Sequence, residues 1–202
     1  METPTPPAPA PSGAYDVEDL LSAIRSPYLL PDVVLGVPAR LAASALVPKA
    51  RSALLAVLLA GTLLFGMPYG LVLEPSRGWR VVILMLGTFA ICFPSLHVFG
   101  TYVGRRVTLA QDFVLGMVIP CVAAVFTFGF FPIVWFLQAT MVEGSAIGTR
   151  DLSATLLVVA LFAGAGQLWR CALSTKEFAP RGAALAVLGL WHVLYAFVAF
   201  RL

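Results

Sequence analysis

The chain has 202 residues, 60% of them hydrophobic and only 11% charged, with a net charge of +3. Soluble domains usually hold about 45–50% apolar and about 25% charged residues, so the composition argues against an ordinary water-soluble globule. In a chain this apolar the positive balance points to asymmetric loops, and nucleic acid is not an expected partner.

The first thirteen residues, METPTPPAPAPSG, are rich in Pro and Ala, and a disordered or polyproline-like tail is expected over 1–15. There is no basic start and no apolar core of the kind a signal peptide needs, so cleavage is not expected. Residues 16–25, DVEDLLSAIR, change character. Val17, Leu20, Leu21 and Ile24 fall at i, i+3, i+4 and i+7, which predicts one helical face. Asp16 is placed to cap that helix, and Ser26-Pro27 to stop it. The stretch 27–51 is apolar but interrupted by Pro27, Pro31, Pro38 and Pro48. It reads as short helices on the cytoplasmic face, with Tyr28 and Arg40 near headgroup level. Residues 16–51 are thus expected to form a cytoplasmic amphipathic, interfacial segment.

Five charge-free windows follow, at 52–73, 81–104, 113–142, 152–169 and 182–200. A spanning helix needs roughly 20 mostly apolar residues. Four windows fit directly. The third is longer than one span and too short for two, so it reads as one helix plus an interfacial end. The expected fold class is all-α: a polytopic transmembrane bundle over 52–202, with spans at about 52–73, 81–104, 113–138, 152–171 and 182–200. The segments between them are short: EPSRGWR, RRVTLAQD, EGSAIGTRD and RCALSTKEFAPR. None can hold a folded domain. With a cytoplasmic N-terminus, that side carries Arg25, Arg40, Lys49, Arg51, Arg105, Arg106, Arg170, Lys176 and Arg181, nine cations, against four on the other side, Arg77, Arg80, Arg150 and Arg201. The positive-inside bias then predicts N-terminus in and C-terminus out, in an inner or plasma membrane.

The second window contains Pro94, Ser95 and His97. Pro94 removes a backbone donor from the carbonyl of Ala90 and reads as a kink, as do Pro68, Pro120 and Pro132 in other spans. His97 and His192 are the only histidines, and both fall inside windows. Intramembrane ionisable groups invite a functional reading, here a proton or ligand site. The competing reading is neutral imidazoles bonded to neighbouring helices. Gln167, beside Gly164 and Gly166, reads as an amide that ties helices together. His97, His192, Gln167 and Ser95 make a candidate polar intramembrane cluster, with His97 expected to bond Gln167, His192 or a freed carbonyl. His97 shares a face with Phe93, Gly100 and Gly104. The pairs Gly66/Gly70 and Gly100/Gly104 carry small-xxx-small spacing.

Chemistry is otherwise sparse. There is no P-loop, GxSxG or HExxH, and every Asp and Glu falls outside the windows. Cys92, Cys121 and Cys171 lack metal-type spacing and read as small apolar residues. No catalytic residue, cofactor or metal is expected.

DLLSAIRSPYLL at 19–30 is similar to the pre-membrane segment of the Yip1-like membrane proteins. FPSLHVFGTYVGRRVTLAQ at 93–111 resembles the second span and following loop of their bacterial members. The likeness covers most of 16–200, through layout more than identity. It implies a non-enzymatic integral membrane protein, and the missing catalytic motifs and lack of any loop domain point to a scaffold or membrane organiser. The expected partners are the lipid bilayer, other membrane proteins or a second copy of the chain. Eukaryotic members are linked to membrane trafficking and small GTPases, but the acidic-aromatic signature of that role is absent here. The alternative is a small transporter or channel using His97, His192 and Gln167.

Overall fold

A computed structural model describes residues 13–102, 104–105, 107–140, 146–174 and 182–201. Every regular element among them is helical: α1 Val17–Arg25, a single 3-10 turn Pro27–Leu29, α2 Leu30–Leu35, α3 Pro38–Leu46, α4 Pro48–Leu73, α5 Trp79–Tyr102, α6 Leu109–Gly116, α7 Val118–Thr140, α8 Ala146–Ser174 and α9 Gly182–Arg201. The all-α fold is therefore the one that forms. Most of the Pro/Ala-rich tail, through residue 12, lies outside the described residues.

Four stretches are long and apolar enough to cross a membrane: Pro48–Leu73, Trp79–Tyr102, Leu109–Thr140 and Asp151–Ser174. The pair Pro27–Leu35 and Pro38–Leu46, bent by 95°, would add a fifth if it forms one broken crossing. The last window, 182–200, forms α9, whose described apolar run Ala186–Ala199 is shorter. Of the polar segment 143–151, expected as a loop, the described residues 146–151 are helical instead: α8 already begins at Ala146.

The N-terminal helices start and stop on local chemistry. The Asp16 carboxylate accepts the amide of Val17 at 2.6 Å, and α1 ends at Arg25, just before Ser26-Pro27. Pro38 and Pro48 occupy the first turns of α3 and α4. There a missing amide costs nothing and the fixed φ suits a helix start. The prolines that make 27–51 look broken are thus helix starters.

These helices differ from the expected surface layer. Leu20, Ala23, Leu30, Val34, Leu41, Ala42 and Ala45 are buried in the same core cluster as residues of α4–α8. The inward face of α1 is Leu20 and Ala23, with Leu21 left 43% exposed. In α3 the small residues Ala42, Ser44 and Ala45 are all buried, so that helix can come close to its neighbours. Arg40 lies over the ring of Tyr15, 4.4 Å from its centroid, and its Nε donates to the Gly13 carbonyl at 3.3 Å. The Tyr15 amide in turn donates to Ser44 Oγ at 2.8 Å. Residues 16–51 and the long helices therefore share one packed body.

Its centre is the junction of α6 and α7, where residues 114–124 are buried without exception. A helix that is apolar all round has no face to offer water, so it goes to the middle. Pro120 falls in the first turn of α7, where its missing amide is an orphan anyway, so it does not kink the span as expected. The third window accordingly becomes α6 plus α7, one 32-residue run, in place of a helix with an interfacial end. Glycines admit the neighbours. A Cβ on Gly61 of α4 would lie 2.7 Å from Cys121 Sγ, and one on Gly164 of α8 would lie 2.5 Å from the Ile119 carbonyl oxygen.

Candidate functional site

The charged side chains inside the bundle meet at the turn between α5 and α6. Gly104 has φ +88°. Its amide donates to the Thr101 carbonyl, and the Arg105 amide donates to the Gly100 carbonyl, each at 3.0 Å. This is a Schellman C-cap, and the left-handed φ is why glycine stands at 104. The reversal lays the Arg105 side chain against Gly100, where a Cβ would come 3.1 Å from its guanidinium. Gly100 and Gly104 thus serve the helix end, in place of the helix-helix contact their spacing suggested.

A capping box opens α6. Gln111 Oε1 accepts the Thr108 amide at 2.8 Å, while Thr108 Oγ1 accepts the Gln111 amide at 3.4 Å. The next residue, Asp112, turns inward and is 1% exposed. Its Oδ1 accepts from Arg105 Nη2 at 2.5 Å, and its Oδ2 lies 2.8 Å from Nδ1 of His97 on α5. Phe93 packs edge-on against Phe113 with centroids 5.1 Å apart, and Phe89 contacts both rings, closing α5 onto α6.

The expectation that every acid lies outside the apolar helices is corrected by Asp112. It stands one residue before the third charge-free window and belongs to the Leu109–Thr140 run. The signal was Thr108-Leu-Ala-Gln111, whose capping-box spacing starts a helix before Asp112 and so removes Asp112 from the loop. Chemically, the trio brings one guanidinium and one imidazole within hydrogen-bond reach of one carboxylate. Among the described residues no group of three His, Cys, Asp or Glu is arranged to hold a metal ion.

Ser95, His97, Gln167 and His192 do not form the single cluster that was anticipated. Ser95 Oγ donates to the Cys92 carbonyl of its own helix at 2.6 Å. That carbonyl also accepts the indole N–H of Trp191 from α9 at 2.9 Å. The Pro94 region of α5 is thus where α9 attaches. Gln167 donates from Nε2 to the carbonyls of Val34 and Gly36, at 3.2 and 3.5 Å. These belong to the bend between α2 and α3, so one α8 amide ties that bend to the bundle. His192 Nδ1 lies 2.6 Å from the Leu188 carbonyl in its own helix, with its ring edge-on to Trp191 and Trp169. His97 faces Asp112 and none of the other three.

Gln167→Leu should remove the donor from two carbonyls of the α2–α3 bend. The expected loss is about 1–2 kcal/mol, with faster hydrogen exchange over residues 30–40. Thermal unfolding and exchange mass spectrometry read both. Unchanged exchange there would mean the amide does not hold the bend.

Comparison with protein-family models, with curated proteins and with solved structures returned no match.

Proposed function

We propose that this chain is an integral membrane protein acting as a non-enzymatic scaffold or membrane organiser, as its Yip1-like layout implies. One observation carries the reading: four polar side chains among the apolar helices make ties between different parts of the chain. Asp112 takes Arg105 and His97, Gln167 takes the α2–α3 bend, Trp191 takes α5, and the Tyr69 hydroxyl donates from α4 to the Ser153 carbonyl on α8 at 3.0 Å. In hydrocarbon such bonds fix which helices are neighbours. A bundle organised in this way is suited to presenting a fixed surface. The orientation that goes with it is N-terminus in and C-terminus out, from nine cations against four. A re-entrant α2–α3 pair leaves that count of sides unchanged.

The second reading is a small proton-linked transporter. It is favoured by a carboxylate and an imidazole 2.8 Å apart and largely shielded from water. One experiment separates the two. In sealed liposomes the purified protein should give no more proton flux than empty vesicles. Protein carrying His97→Ala should capture the same membrane proteins from solubilised membranes as the unaltered chain. Flux that disappears with His97→Ala or Asp112→Asn would establish the transporter instead.

A further inference from the structure

A cleft of about 750 Å³ lies between α8 and α9, with Leu84 of α5 at its back. Its volume falls within the roughly 300–1,000 Å³ typical of small-molecule sites. It runs along α8 from Ala154 to Trp169. Fifteen residues at about 1.5 Å each make it roughly 22 Å long. The walls are aliphatic or aromatic, and Trp169, His192 and Tyr195 are the only described lining residues with hydrogen-bonding side chains. Gly166 and Gly189 stand on opposite walls, and a Cβ on either would meet nothing within 4 Å. Nothing described in the chain therefore calls for glycine at either place.

The apolar walls and the length of the cleft suit an extended hydrocarbon chain. Half of a bilayer's roughly 30 Å hydrocarbon core is about 15 Å, well within the length of the cleft. Arg170 follows Trp169 directly at one end and is exposed. Its charge complements a phosphate at the depth where the chain would leave the cleft.

We propose that this cleft binds an anionic phospholipid, one acyl chain lying between α8 and α9 and the phosphate at Arg170. The proposal rests on the reading of the chain as a membrane protein. That reading has its own check: the full chain should stay with membranes through alkaline extraction. A chain that stays in the membrane yet fails the lipid test overturns the cleft alone.

The lipid test uses full-length protein in nanodiscs made with phosphatidylglycerol or phosphatidylcholine, transferred to detergent and weighed intact by native mass spectrometry. One phosphatidylglycerol per chain should remain bound. Gly166→Leu and Gly189→Leu, on facing walls, should each lower its retention about tenfold. Gly129→Leu on α7, where a side chain also meets nothing within 4 Å, should leave retention unchanged. Arg170→Gln should lower the preference for phosphatidylglycerol about fivefold while the acyl chain still binds. Equal retention by Gly166→Leu, Gly189→Leu and the unaltered chain would overturn the proposal. So would equal retention of the two lipids by the unaltered chain, or a disulfide joining two copies that carry Gly189→Cys.

Discussion

Asp112→Ala should destabilise the bundle by about 3–5 kcal/mol, the usual cost of breaking a buried ion pair by removing one partner. The loss arises because the Asp112 carboxylate no longer accepts from Arg105, whose side chain is 10% exposed. His97 loses the carboxylate that holds its ring. Arg105→Ala alone should cost a similar amount, since it leaves the Asp112 carboxylate buried with only the imidazole. Combining Arg105→Gln with Asp112→Asn should cost less than the sum of the two single changes, because two neutral amides can bond each other in the same place. Unfolding of the purified protein in a fixed detergent, over the double-mutant cycle, measures the coupling. Strict additivity would show that the pair is not coupled.

Gly164→Val should cost about 3 kcal/mol or more, and Gly166→Ala less than about 1 kcal/mol in either direction. The two glycines are two residues apart on α8 yet face different surroundings. A Cβ on Gly164 would sit 2.5 Å from the Ile119 carbonyl oxygen and 3.1 Å from its Cα, and backbone cannot move aside as a side-chain tip can. α8 would have to lift off α7 at the buried centre of the protein. Gly166 opens into the cleft, so an added methyl meets nothing. Thermal melts of both variants give the comparison. Similar melting temperatures would mean that α8 does not approach α7 as closely as Gly164 indicates.

The helical class and the long apolar runs were legible because they depend on length and composition alone. The α1 cap at Asp16 and its stop at Ser26-Pro27 were legible because capping is local. The inward turn of His97 was legible too, from its sharing a face with Gly100. Its partner was not. Charge-free windows are drawn by charge, so a buried charge marks the edge of a window by construction, and Asp112 was assigned to a loop for that reason. Gln167 is the helix tie that its sequence setting suggests, but its partners lie 133 and 131 residues earlier in the chain. No periodicity reports a separation of that size. The prolines of 27–51 were ambiguous for another reason: the same residue breaks a helix from within and starts one from its first turn, and only the neighbouring backbone decides which.

His97, Arg105 and Asp112 all come from sixteen consecutive residues, which on the proposed reading of the chain as a membrane protein bears on its insertion during synthesis. An isolated Asp or Arg at the middle of a helix costs about 2.5–3.5 kcal/mol to insert. Here the two opposite charges emerge from the ribosome seven residues apart, already turned toward each other by the Gly104 reversal. They can neutralise one another before any later helix exists. On that reading α5 and α6–α7 would enter lipid as a hairpin whose two opposite charges are already paired, with α8 and α9 added afterwards.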